Sequence, residues 1–177
     1  MNSLSSQLQR INEWDAAVCL FCNRQSRHLL ICNAFRLISR LGDGVFWYVL
    51  MAALLWYDQA HALPAVLHML AAALVGTLIY KLIKIKTLRP RPFNVYPAII
   101  CTGKALDQFS FPSGHTLHAV SFSLIVVYYF PGLAWLVLPF AALVALSRPI
   151  LGLHYPSDVL AGAALGASIA AASFWLV

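Results

Sequence analysis

The sequence predicts an all-α integral membrane bundle of about five transmembrane helices, preceded by amphipathic helices lying on the membrane surface. Composition is the first reason. Hydrophobic residues fill 61% of the 177 positions and charged residues only 10%, with a mean hydropathy of +0.76, more apolar surface than a soluble core of this size can hide. The second is segmentation: apolar stretches at 42–57, 62–83, 114–130, 133–147 and 158–177 each approach the length that carries a helix across a ~30 Å hydrocarbon layer.

Residues 1–40 are expected to stay at the interface. Arg24, Arg27, Arg36 and Arg40 interrupt every apolar run there, and a charge at mid-bilayer costs at least ~2.5 kcal/mol. Val18, Leu20, Phe21, Leu29, Leu30, Phe35, Leu37 and Ile38 recur instead with a loose helical period, as in surface helices. Residues 1–15 lack the apolar region of a signal peptide and carry Glu13 and Asp15. The spans that follow are joined by tight turns at Asp58–His61 and Pro131–Gly132, and by one long, Pro-rich polar loop, 84–112, of a length usually reserved for function. Pro139 should kink the fourth span. Gly162 and Gly166 let helix backbones approach in the last one, first for packing inside the chain and, as the alternative use, for a homodimer. With no linker or repeat, residues 1–177 read as one domain: an interfacial segment, 1–40, and a transmembrane catalytic core, 42–177.

An odd number of spans places the amino terminus, the 84–112 loop and the 148–157 connection on one face of the membrane. That face then collects three polar clusters: Lys84 to Pro92, Pro112 to His115, and Ser147 to Asp158. The net charge of +6 is spread over helix ends and one loop, which favours an anionic headgroup and argues against nucleic acid. Cys19, Cys22, His28 and Cys32 follow no zinc-site spacing and sit in an amphipathic pattern, so ordinary packing is expected and neither metal nor cofactor is.

The clusters suit phosphate-ester chemistry, in which fixed donors must surround one anion. Lys84, Arg91 and Arg148 supply cations. Ser113 and Gly114 open a helix, where free N–H groups favour an anion and glycine allows close approach. His154 has Asp158 four residues later, one helical turn on if that segment is helical, a carboxylate able to fix the imidazole tautomer, so His154 is the expected nucleophile. His115 is the expected general acid. His118 is either a neighbour of that site or a hydrogen-bonded bundle histidine. His28, His61 and His68 have no accompanying cluster and are given no catalytic role. Lys81, Lys86, Arg89 and Lys104 are expected to snorkel to headgroups.

Lys84 followed by Arg91-Pro92, then Pro112-Ser113-Gly114-His115, then Ser147-Arg148 with His154 and Asp158, resembles the three-part signature of the type 2 phosphatidic acid phosphatase superfamily in order and internal spacing. The resemblance implies metal-independent dephosphorylation, with His154, Asp158 and His115 as catalytic residues and Lys84, Arg91, Ser113, Gly114 and Arg148 around the phosphate. Larger membrane members have six spans, and here the surface helices stand in place of the first. Bacterial members act on undecaprenyl diphosphate, phosphatidylglycerol phosphate, phosphatidic acid or lipid A. A wholly membrane-embedded scaffold favours such a phosphorylated lipid, and analogy with compact relatives favours undecaprenyl diphosphate. A phosphotransferase using the same phosphohistidine and a carrier of phosphorylated lipids are the alternatives. Vanadate haloperoxidases share the pocket but are soluble. All 12 Lys and Arg fall on the site face, which the positive-inside rule assigns to the cytoplasm. The resemblance implies the opposite face, and the expectation is a multi-pass inner-membrane enzyme with a periplasmic site.

Overall fold

The computed structural model describes residues 3–176. Its order is α1 (Ser3–Arg24), α2 (Leu29–Arg40), a π-helical turn (Leu41–Val45), α3 (Phe46–Tyr57), α4 (Gln59–Thr87), the single turn α5 (Pro92–Val95), α6 (Gly114–Tyr129), α7 (Ala134–Ile150) and α8 (Pro156–Ser173). The described residues contain no strand, only an isolated antiparallel bridge between Pro90 and Phe109. The fold is the expected all-α membrane bundle.

Helix α6 is its axis, packed on α4, α7 and α8. Leu117, Ala119, Ile125 and Val126 are fully enclosed. The small residues of α8 explain how closely that helix approaches: a Cβ on Gly162 would collide with the carbonyl oxygen of Ser113, and one on Gly166 with that of Leu117. The pair therefore packs within the chain. Trp47 on α3 meets Phe122 of α6 edge-on at 5.3 Å, and Phe46 stacks on Phe140 of α7 at 3.8 Å. Outward, Leu63, Leu67, Leu70, Leu74, Leu78 and Leu82 form an exposed stripe along α4, the surface a helix presents to hydrocarbon. Exposed Trp56, Tyr57, Trp135 and Trp175 gather at the end opposite the polar loops, as an interfacial aromatic belt.

Four helical segments are long and apolar enough to cross a membrane, namely Leu29–Tyr57, Gln59–Thr87, Pro131–Ile150 and Pro156–Leu176. The short α6, at 16 residues, stands between them as the fifth membrane helix. The first of these segments starts well before position 42, because α2 and α3 follow each other across a kink at Gly44 (φ 134°) in the turn between them. Arg36 near its start does not forbid this, because Arg36 Nε donates to the Thr102 carbonyl at 2.6 Å in the polar loop. Helix α7 continues through Pro139 without a break.

The amino-terminal helix is anchored rather than merely laid on the surface. Asn23 donates to the carbonyls of Ile100 (2.9 Å) and Ile150 (3.0 Å) and accepts from the Ile100 amide (2.8 Å), tying α1 to both polar connections. Asp15, wholly buried, accepts from the Ser157 amide at 2.9 Å. Cys19 and Cys32 are buried and Cys101 is exposed.

Candidate active site

The site is assembled from four helix ends. At the carboxyl end of α4, Leu88 adopts a left-handed conformation (φ 49°) that turns the chain. Ahead of it, Lys84 Nζ donates to both Asp107 oxygens at 2.8 Å and to the Phe109 carbonyl at 2.9 Å. Arg91, at the start of α5, donates to Asp107 Oδ1 (2.8 Å), the Asp107 carbonyl (2.9 Å) and the Leu153 carbonyl (2.8 Å). Asp107 thus occupies the fork between two buried cations, the geometry by which a phosphate oxygen is held. Burial alone would raise its carboxyl, but Lys84 and Arg91 outweigh that and hold it below the ordinary range.

At the start of α6, Ser113 caps the helix by accepting from the Thr116 amide at 3.4 Å, and Gly114 and His115 follow at the cavity wall. His115 Nε2 hydrogen-bonds Asp43 of the π turn. At the end of α7, Arg148 is 1% exposed, with Nε donating to Ser147 Oγ at 3.0 Å and Nη2 to Ser39 Oγ.

The connection after α7 turns at Gly152 (φ 75°), where a Cβ would also meet the Ile100 carbonyl at 2.8 Å. This delivers His154, 2% exposed, to the same place. Its Nε2 faces Arg91 Nη1 at 3.4 Å. A guanidinium can only donate, so Nε2 carries the lone pair and Nδ1 the proton. Nδ1 points to Asp158 Oδ2 at 3.6 Å, adjacent but beyond hydrogen-bond length. Catalytic hydrogen bonds in unliganded sites are often this loose. Burial, and then the charges of Arg91, Arg148, Lys84 and His115, push the His154 imidazole well below its ordinary range, so the ring is neutral at pH 7.

Asp158 is held from behind by the Tyr155 amide (2.8 Å) and by Arg89 Nη1 (2.7 Å). Here the structure corrects the sequence reading of Arg89 as a headgroup anchor. Arg89 is turned inward, bridging Asp158 to buried Asp15 (2.7 Å) and lying 4.2 Å from the Tyr155 ring centroid. Two buried carboxylates leave a guanidinium no reason to seek the interface.

Lys84, Arg91, Gly114, His115 and His154 line one cavity of about 290 Å³ between α3, α4 and α6, whose lining also includes the apolar Trp47, Met51, Leu70 and Phe122. Ser113, Arg148 and Asp158 are buried at 0–1% exposure, behind that surface. His118 lines the cavity one turn below His115, with Nε2 3.3 Å from Thr77 Oγ1.

Residues 62–177 match the sequence profile of the PAP2 superfamily. The chain belongs to the PAP2 superfamily. Over 104 residues it is 41% identical to a decaprenylphosphoryl-5-phosphoribose phosphatase of Mycobacterium tuberculosis, an alignment covering 57% of this chain and 55% of that protein. Over 114 residues it is 31% identical to undecaprenyl-diphosphatase BcrC of Bacillus subtilis, covering 64% of this chain and 58% of the relative. The chain spans about half the length of the curated relatives it matches. Its fold resembles the crystal structure of a transmembrane PAP2-type phosphatidylglycerolphosphate phosphatase from Bacillus subtilis, with TM-score 0.74 and 24% identity, over 94% of this chain and 86% of that one.

The three PAP2 motifs therefore meet around one cavity, and three carboxylates that the sequence reading passed over, Asp107, Asp43 and Asp15, meet them there or behind them. Asp107 lies in the long loop whose length had marked it as functional. Asp43 sits between two glycines, Gly42 and Gly44, a pattern that signals a specialised turn. Asp15 and the chain position of Asp58, which caps α4 far from the site, carry no local sign that tells one from the other.

Proposed function

We propose that this chain is a lipid phosphatase that works through a phosphohistidine on His154. The observation that carries the proposal is the convergence of Lys84, Arg91, His115 and His154 on one cavity whose lining also includes apolar side chains. Lys84, Arg91, Arg148 and the amide group of Gly114 take up the charge of the phosphoryl oxygens, replacing Asp107 at the cationic fork, while the Ser113 amide is engaged by the Asp158 carbonyl at 3.0 Å and fixes the helix start. The Nε2 lone pair of His154 attacks phosphorus while Nδ1–H closes on Asp158. The P–O bond to the lipid breaks and its oxygen takes a proton from His115, leaving a phosphohistidine. His115, now neutral, removes a proton from water, whose oxygen attacks phosphorus. The P–N bond breaks, releasing inorganic phosphate and restoring His154. The cations supply the charge stabilisation that a metal ion supplies in other phosphatases, so the reaction is metal-independent.

The substrate is a polyprenyl phosphate ester or diphosphate, with undecaprenyl diphosphate favoured: the cavity carries apolar lining beside its cations, and two relatives are named for polyprenyl substrates. Chelator-treated protein in detergent is expected to release phosphate from undecaprenyl diphosphate in preference to phosphatidylglycerol phosphate, phosphatidic acid and lipid A. Release from none of them by folded protein contradicts the phosphatase reading and favours the transferase or carrier. The site faces the periplasm of the inner membrane. Exposed Cys101 in the site-face loop is the reporter: an impermeant maleimide is expected to label it from outside intact spheroplasts, and labelling only after lysis contradicts that orientation.

A further inference from the structure

The π turn between α2 and α3 has no part in the chemistry described so far, yet it is built around one side chain. Gly44 has φ 134°, outside what other residues adopt readily. Gly42 is packed so closely on α7 that a Cβ would lie 2.9 Å from the Val144 side chain. Between them Asp43 points into the cavity and hydrogen-bonds His115 Nε2. A carboxylate beside an anion-binding pocket is unfavourable unless a partner compensates it; here the imidazole is hydrogen-bonded to it.

We propose that Asp43 is the positioning residue of the general acid, holding His115 by Nε2 so that Nδ1 is the nitrogen that exchanges protons with the leaving oxygen and then with water. This rests on the reading of His115 given above. The imidazole has two nitrogens, and with Nε2 engaged only Nδ1 remains to work. The site then contains two mirrored pairs. His154 acts through Nε2 with Asp158 behind Nδ1, and His115 acts through Nδ1 with Asp43 behind Nε2. In both half-reactions the Asp43 contact persists while the proton at Nδ1 leaves and returns.

Leaving-group dependence tests this. Farnesyl phosphate expels a strongly basic alkoxide that needs the proton, whereas farnesyl diphosphate expels a weakly basic phosphate oxygen from the same tail. Single-turnover release of the leaving group is measured with both, for the wild type, Asp43→Asn and His115→Ala. Asp43→Asn is expected to slow farnesol release on the order of 100-fold, with a change of only about 3-fold for the diphosphate. His115→Ala should show the same bias, more strongly. The ratio of the two rates is independent of how much protein folds, so a damaged variant still gives an answer. An unchanged ratio in Asp43→Asn beside a biased His115→Ala overturns the role of Asp43 alone. An unchanged ratio in His115→Ala removes the general acid itself, and the proposal with it.

Discussion

Residues 62–177 and the stretch before them divide the site unequally. The first region matches the family profile and carries each side chain placed in the proposed phosphoryl chemistry. The second carries side chains that grip them: Asp15 holds Arg89 and Ser157, Ser39 holds Arg148, Asp43 holds His115, and Asn23 pins the loop before α6 and the end of α7. The difference teaches that reactive groups can be fixed in local motifs, where backbone turns set their spacing, while their supports come from wherever the chain happens to pack. Loss of the first region's groups should remove the reaction, and loss of the second's should loosen it.

The largest effect is expected at His154. His154→Ala should lower phosphate release by at least ~10⁴-fold while vanadate still raises the thermal midpoint, and turnover near the wild-type rate removes the nucleophile assignment. Asp158→Asn comes next, with a loss on the order of 10²- to 10⁴-fold from a wrongly held imidazole; steady-state kinetics unchanged by this variant would detach Asp158 from the mechanism.

Across the divide, Asp15→Asn should act differently. It leaves Arg89 without one of two buried partners, so stability should fall by about 3 kcal/mol, read as a lower midpoint in detergent, with a smaller loss of kcat than Asp158→Asn. A loss of kcat as large as that of Asp158→Asn, in protein of undiminished stability, would erase the distinction between the regions.

The smallest effect is a shift in pH dependence. His154 must be neutral to attack, and burial together with Arg91, Arg148, Lys84 and His115 lowers its affinity for a proton. The acidic limb of kcat/KM should therefore lie below the ordinary histidine range. Arg91→Gln removes one of the lowering charges, so the imidazole binds a proton more readily and the limb should move to higher pH. A limb that stays in place, or moves down, contradicts the electrostatic account.

Much of this was legible in the sequence where chemistry and spacing coincide locally. The spans showed in apolar length, and His154 with Asp158 in a four-residue separation, although His154 lies in the turn before α8 and only Asp158 is in the helix. The succession of α2 and α3 in one segment, kinked at Gly44, did not show, because Arg36 and Arg40 break the apolar run and only the position of the Thr102 carbonyl explains where Arg36 goes. Arg89 was misread for a related reason. A cation in an oily chain looks like a headgroup anchor until the buried carboxylates Asp15 and Asp158, 74 and 69 positions away, are found facing it. Asp107 and Asp43 likewise acquire meaning only from cations and a histidine brought to them by folding.

The central claim is a covalent intermediate on His154. Protein mixed with undecaprenyl diphosphate labelled in its terminal phosphate, and quenched in alkali within a single turnover, should carry acid-labile label on the peptide containing His154, and His154→Ala should carry none. Label on His115 instead, or phosphate released at full rate with no protein-bound label in a quench fast enough to resolve it, would contradict the account.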